Sequence, residues 1–380
     1  MVTRDLTQEH ELLVQAVRDF ARAELLERDR EWDRTETSCC TELERLYEMG
    51  LMSLRVPEEL GGLDCPAQTY ARIIRELAYA SPSVAVTVAV HSMATEILRV
   101  YAREEIRHPM LERLATPGHL SAFALSEPNA GSDTAAVRTR AEKIANGWKL
   151  YGTKMWVTNG LTGRWFLVLA RTRQSGTNAD LSLLLLDGEQ PGVSRTPIHG
   201  KMGIRASETA EMSLEGAFVP SENLLGQEGW GRRIGLSALD GGRIGIAAQA
   251  AGIAEACLDL MVLYSRQREQ FGRPIADFQA IRWMLADSRT ELSAALALIE
   301  RAAWLKDRGR PFTREASMAK LYASEAAGRI ADRAVQVHGG YGYVHEFRVE
   351  QLYRDARVTR IYEGTSEIQR RVIARELLRD

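Results

Sequence analysis

Asn146-Gly147-Trp148-Lys149-Leu150-Tyr151-Gly152-Thr153-Lys154-Met155-Trp156-Val157-Thr158 decides the fold class. Asn-Gly between a polar and an apolar run predicts a hairpin, because both residues tolerate the positive φ of a tight turn. Trp148–Tyr151 and Lys154–Thr158 are rich in β-branched and aromatic residues, and Trp165–Leu169, Leu181–Leu186 and Glu211–Leu214 continue that texture between turn residues. Closely spaced strands without helices between them predict a small antiparallel barrel or sandwich over residues 121–230.

On either side the periodicity is helical. Leu12, Val14, Val17, Phe20 and Ala21 form one stripe, and Leu43, Leu46, Tyr47 and Leu51 another. Turn chemistry at Pro57–Gly62 and Ser81-Pro82-Ser83 interrupts this first helical region, and Pro117-Gly118 closes it. Beyond the strands, Arg243–Arg266, Asp277–Asp307 and Arg314–Val337 are long enough for a bundle, with breaks at Gly272-Arg273-Pro274 and Arg308–Pro311. The predicted architecture is mainly α with a β middle domain. It comprises an N-terminal helical domain (1–120), a β domain (121–230) and a C-terminal four-helix bundle (231–380).

The 380 residues carry a formal net charge of −2, which gives no field to gather nucleic acid or anionic lipid. Six lysines stand against 43 arginines, a bias that fits either a GC-rich genome or selection for ion pairing. The four cysteines (Cys39, Cys40, Cys65, Cys257) have neither metal-ligand spacing nor a plausible bridge, so a reducing compartment is expected. Met1–Asp5 leads into an amphipathic pattern without an apolar signal core. Glu255 and Asp259 interrupt the most hydrophobic helix. A soluble, cytoplasmic protein with no membrane or nucleic-acid partner is expected.

Three stretches carry chemistry. Phe123-Ala124-Leu125-Ser126-Glu127-Pro128-Asn129-Ala130-Gly131-Ser132-Asp133 is a loop that exposes backbone N–H groups and a hydroxyl, suited to a polar ring edge or a phosphate, and equally an ordinary connection. A tryptophan in an alternating strand is usually core, yet Trp156 shares its face with Thr158, an indole–hydroxyl pair suited to a planar heteroaromatic ligand. Tyr362-Glu363-Gly364-Thr365-Ser366-Glu367 combines a helix cap at Thr365 or Ser366 with a carboxylate placed to face a cleft.

In this order and at these separations, the three stretches resemble the acyl-CoA dehydrogenase family, especially its short-chain, butyryl-CoA type members. The likeness runs from about residue 7 to 378 and includes Leu239–Gly245, Arg266–Gly272 and Gln336–Tyr343. The resemblance implies bound FAD and a catalytic base at Glu363. Phe123, Leu125, Ser126, Gly131 and Ser132 would border flavin and thioester, and Trp156 and Thr158 would pack on the ring. Arg268, Gln270, Phe271, Gln336, Gly339 and Gly340 would reach the FAD of a neighbouring subunit. Thr365 and Glu367 would hold the subunit's own FAD. Gly339-Gly340-Tyr341-Gly342 is no dinucleotide fingerprint, because a helix rather than a strand precedes it. Ser132, Asp240, Arg243, Tyr362 and Gly364 would contact the acyl-CoA. For Asp240 and Arg243 a helix N-cap with a first-turn ion pair is the structural alternative.

The implied reaction is α,β-dehydrogenation of short acyl-CoA thioesters, straight or 2-methyl-branched, to trans-2-enoyl-CoA. Glu363 takes the α-proton, FAD N5 accepts the β-hydride, and electrons pass to electron-transferring flavoprotein. Some relatives carry the base at the position of Gly242, which has no side chain to serve. A homotetramer, a dimer of dimers, follows from the shared FAD site. Glu96 can cap a short acyl pocket, bind a polar substrate tail, or simply face another helix. Rival functions on the same fold are an acyl-CoA oxidase, a nitroalkane-oxidising enzyme, and a nucleic-acid-binding alkylation-response relative.

Overall fold

The computed structural model describes residues 7–173, 175, 177 and 180–379. The opening segment read for a signal core lies outside them. Six helices form the first region: α1 (Gln8–Phe20), α2 (Leu26–Thr35), α3 (Leu43–Glu48), α4 (Ala67–Ala80), α5 (Pro82–Tyr101) and α6 (Glu104–Leu114). The predicted stripe of α1 buries Val14, Val17, Phe20 and Ala21, while Leu12 stands 62% exposed on the other side. At α5 the Ser81 hydroxyl accepts the Val84 N–H and Pro82 takes the first turn, where a missing N–H costs nothing.

Eight strands follow: β1 (Ser121–Ala124), β2 (Arg140–Ile144), β3 (Gly147–Thr158), β4 (Trp165–Arg171), β5 (Leu181–Asp187), β6 (Val193–Pro197), β7 (Thr209–Pro220) and β8 (Leu224–Leu225). They form one sheet in the order β6-β7-β3-β2-β4-β5-β8, with β1 beside β4. The predicted hairpin is there: β2 and β3 pair antiparallel from Ile144↔Gly147 to Arg140↔Tyr151. The sheet is nevertheless mixed, not antiparallel throughout, since β1 and β2 both run parallel to β4. The chain leaves β1 through the loop 125–139 rather than a tight turn, which frees β1 to lie alongside β4 in the same direction.

The third region contains α7 (Gly231–Gln267), a two-stranded hairpin of β9 (Glu269–Gln270) and β10 (Arg273–Pro274), α8 (Gln279–Asp307), α9 (Thr313–His338), α10 (Val349–Val358) and α11 (Ser366–Leu377). The helix expected from Arg243 thus begins twelve residues earlier, at Gly231, and runs unbroken through Gly241 and Gly242. A single apolar core joins the first and third regions. Ile73 and Leu77 of α4 share it with Ile244 and Ile253 of α7 and Ile330 of α9. Alanines such as Ala247, Ala251, Ala323 and Ala327 are fully buried there and let the helices approach closely.

α5 and α7 are long and apolar enough to cross a membrane by length and composition, but 83% and 72% of their apolar windows are buried inside the fold. They are core helices here. The β region has its own apolar layer around Phe166, Val168, Leu184 and Met212.

Candidate active site

Between the end of α10 and the start of α11 the chain makes a corner that aims one carboxylate inward. Thr365 caps α11, its Oγ1 accepting the Ile368 N–H at 3.3 Å. The corner is left-handed, with φ +53° at Glu363 and +92° at Gly364. A side chain in that region costs on the order of 1–3 kcal/mol, so something must hold it. Gln369 Nε2 donates to the carbonyls of Glu363 (3.1 Å) and Gly364 (2.9 Å), and Lys320 Nζ donates to Gly364 O at 2.7 Å. The Tyr362 hydroxyl donates to Gln249 Oε1.

Glu363 Oε2 is sealed from solvent and has no hydrogen-bond partner. A β-carbon built on Gly242 would stand 2.7 Å from that oxygen and 3.1 Å from Met93 Sδ. A base at residue 242 and a base at residue 363 would therefore occupy the same space. Burial pushes the Glu363 carboxyl up to about 7, with Arg243 and Lys320 opposing the rise. Burial draws the Lys320 ammonium down to about 8 against the pull of Glu363. The backbone N–H of Glu363 donates to no acceptor among the described residues.

Arg243 is 3% exposed, paired with Asp240 three residues earlier, and donates to Ser317 Oγ at 3.1 Å. Asp240 also accepts from the Thr313 hydroxyl at 2.6 Å. Both lie well inside α7, which removes the N-cap alternative and keeps the ion pair. The arginine is enclosed, and its charge bears on Glu363.

On the β side, Trp156 has φ +60° and sits where the β3–β7 register slips between Lys154 and Val157. The bulge turns the indole outward to 60% exposure while Val157 stays buried, so the core alternative for Trp156 fails and Thr158 shares its open face. Phe123 and Leu125 reach α7, coming within 3.5 and 3.8 Å of a β-carbon placed on Gly235. Ser126 O accepts the Met155 N–H at 2.9 Å, tying the loop to the strand beside Trp156. Gly131 and Ser132 are exposed, with open space around Gly131.

Three models of acyl-CoA dehydrogenase match this sequence in consecutive blocks: the N-terminal domain over residues 7–117, the middle domain over 122–217 and the C-terminal domain over 228–378. The chain belongs to the acyl-CoA dehydrogenase family. It is 42% identical over 376 residues to acryloyl-CoA reductase (NADH) of Anaerotignum propionicum, covering 98% of this chain and 95% of the relative. Butyryl-CoA dehydrogenase of Megasphaera elsdenii superposes with a TM-score of 0.96 at 37% identity, over 99% of this chain and 100% of the other. A chain from the structure of the electron transferring flavoprotein of Acidaminococcus fermentans gives 0.97 at 37%, over the whole of both.

In this acyl-CoA dehydrogenase the remaining expected residues fall into two groups. Arg268, Gln270, Phe271, Gln336, Gly339 and Gly340 gather on an exposed surface where the β9–β10 hairpin meets the end of α9. The Arg268 guanidinium lies 5.6 Å over the Tyr341 ring, and Phe271 is 93% exposed. Thr365 and Glu367 are at the head of α11, where backbone N–H and the Thr365 hydroxyl hold the Glu367 carboxyl below its usual range.

A cavity of about 190 Å³ opens beside Gly242 and Met93. Glu96 lines it, bonded to Arg55 on one oxygen and to Lys306 Nζ at 2.9 Å on the other, so it does more than face a neighbouring helix. A larger cleft of about 710 Å³ between α1, α4 and α8 contains none of the expected site residues.

Sequence patterning missed Lys320, Gln249 and Gln369, which hold the Glu363 corner, and the buried pair Lys154–Glu127 under the loop. A signal was present: with 43 arginines available, lysine is rare, and two of the six lysines, Lys154 and Lys320, are 0% exposed.

Proposed function

We propose that this protein removes the elements of hydrogen across the α–β bond of a short-chain acyl-CoA, giving the trans-2-enoyl thioester, with Glu363 as the base. The carrying observation is the dry, unpartnered Glu363 Oε2 held by a strained corner against a side-chain-free stretch of α7. A carboxylate without water or donors is a stronger base than a solvated one, and at about 7 it is half ionised at neutral pH. Arg243 and Lys320 keep it from rising further, so a working fraction stays charged.

The free N–H of Glu363 is a donor for the thioester oxygen as negative charge develops there. Gln369 and Lys320 fix that N–H by holding the two carbonyls that follow it. FAD suits the opposite wall: the outward indole of Trp156, the Thr158 hydroxyl and the open Gly131 loop form a face that a planar ring would cover. When bound, FAD supplies two-electron hydride acceptance, and electron-transferring flavoprotein is the onward acceptor. A base placed at the α-carbon serves either direction of the reaction, so a reductase among the relatives agrees with this assignment.

The site takes straight or 2-methyl-branched short acyl groups. The chain, organised as 1–120, 121–230 and 231–380, works in the cytoplasm as a homotetramer. Free thiols at all four cysteines and the exposed aromatics Phe271, Tyr341 and Tyr343 support this. Anaerobic addition of butyryl-CoA to the FAD-loaded protein is expected to bleach the oxidised flavin band stoichiometrically. A band unchanged by any short acyl-CoA would refute the assignment.

A further inference from the structure

Behind the base corner, three parts of the chain meet at a cluster of buried carboxyls. α2 brings Asp29 and Asp33, and α10 with its cap residue Arg348 brings Gln351, Arg354 and Asp355. The connection between β6 and β7, residues 198–208, lays its backbone against them. We propose that Asp355 is a latch held shut by its own proton: as an acid it keeps residues 201–207 on α10, and as a carboxylate it favours their release. This goes beyond the reaction assigned above and does not depend on it.

The fit is close. A β-carbon on Gly203 would stand 2.5 Å from the Arg354 carbonyl and 2.6 Å from Asp355 N, so backbone lies on backbone. Ile204 has φ +49°, an outlier for a β-branched residue that needs an outside restraint. Its N–H donates to Asp355 Oδ1, and Arg354 holds the nearby Met202 O at 3.0 Å. Lys201 closes the loop on itself by donating to Ile204 O at 2.9 Å. The Ile204 side chain packs with Val86, Val90 and Ile246, the apolar group on which Tyr362 rests. The segment thus backs the residue that precedes the base.

The carboxyls are unequally served. Asp33 takes both arms of Arg354, at 3.0 and 2.5 Å, and has Arg205 at 4.0 Å. Asp29, 1% exposed, accepts from the Ser81 hydroxyl and from Gln351 Nε2 at 2.7 Å, and the Arg348 charge bears on it. Asp355, also 1% exposed, accepts one backbone N–H and has no ion pair among the described residues.

Asp29 and Asp33 face Asp355 as like charges, and Arg354, Arg348 and Lys201 oppose them. The Cys257 thiol of α7 and the Tyr362 hydroxyl also border it, and burial keeps both neutral. Burial first, and Asp29 next, hold the Asp355 carboxyl well above the usual carboxylate range. An opening that wets this group returns it to its ordinary value of 3.8. Above that pH each unit therefore eases opening about tenfold, until the closed form ionises too.

Hydrogen exchange of the 201–207 backbone in the FAD-loaded protein, corrected for the intrinsic pH dependence of exchange, reads this opening. Protection is expected to fall about a hundredfold between about pH 5 and pH 7 in the wild type. It should stay level in Asp355→Asn, which keeps the acceptor and cannot ionise. Asp29→Asn removes the like charge that acts most on Asp355, so there the fall should stop at a lower pH than in the wild type. Wild-type protection that does not change with pH overturns the proposal, as does a fall of equal size in Asp355→Asn. Should Asp355→Asn not fold, Asp29→Asn decides: an end point left in place overturns the proposal. If β5 loses protection in step with the loop, Asp355 acts on the whole fold and is no latch.

Discussion

Glu363→Gln is expected to lower the rate of flavin reduction by about a thousandfold, within the span attributed to a positioned general base, while the protein keeps its FAD. The amide has the shape of the acid and none of its basicity. It sits in the same corner, because the contacts that fix residues 363 and 364 are to backbone carbonyls. In the wild type the same carboxyl makes the rate depend on pH. Burial holds it at about 7, so the reduction rate should rise with pH through that value and level off above it.

Linkage gives a second readout with a definite sign. The folded carboxyl binds its proton more tightly than the unfolded one, whose ordinary value is 4.5. Stability is therefore lost as pH rises from the unfolded value to the folded one, by up to about 3 kcal/mol. The Gln variant escapes that loss. It should melt above the wild type at pH 8 and close to it at pH 4.5. A variant of full activity would remove Glu363 from the chemistry, and one without FAD would make it a structural residue.

Lys154→Met is expected to cost about 3–5 kcal/mol of folding stability, the range for breaking a buried ion pair from one side. Lys154 is 0% exposed and donates to Glu127 Oε1 at 2.8 Å and to Leu125 O at 3.1 Å. Burial draws its ammonium down to about 8 despite Glu127. Glu127 is pushed up by burial, but Lys154 and Thr139 outweigh this and hold it below the usual carboxylate range. Removing the lysine leaves a dry carboxylate with only Thr139 and two backbone N–H groups.

The pair lies under the loop from Leu125 to Gly131 and beside the Trp156 bulge, so FAD retention should fall with stability. Lys154→Met combined with Glu127→Leu removes both charges and should regain most of the loss. A double variant no better than the single would show that packing, not the unpaired charge, carries the effect. Thermal melting and flavin content measure both.

Where local chemistry and tertiary demand coincide, the sequence is a sufficient guide. Thr365 caps α11 as its position suggests, and the Asn146 turn joins β2 to β3 as the expected hairpin. Trp156 is the instructive case. Strand alternation alone places it in the core, and only its pairing with Thr158 pointed to the open face it takes. The bulge responsible is set by pairing with β7, more than fifty residues on.

The expected helix starts only at Arg243, after Gly241 and Gly242, and each interior glycine costs a helix about 1 kcal/mol. α7 nevertheless continues through them, and a β-carbon on either would crowd Lys306 or Glu363. The rarity of lysine flags Lys154 and Lys320 but not what they hold, since the partners of Lys154, Lys320 and Lys306 lie 27, 44 and 210 residues away. No local period encodes such a distance.

In the proposed reaction Glu363 takes a proton from the α-carbon while hydride leaves the β-carbon. Single-turnover, anaerobic flavin reduction by butyryl-CoA deuterated at C2, and separately at C3, tests it most directly. A primary isotope effect is expected from each position. Flavin reduced with an effect at C3 and none at C2 would remove Glu363 from the proton transfer.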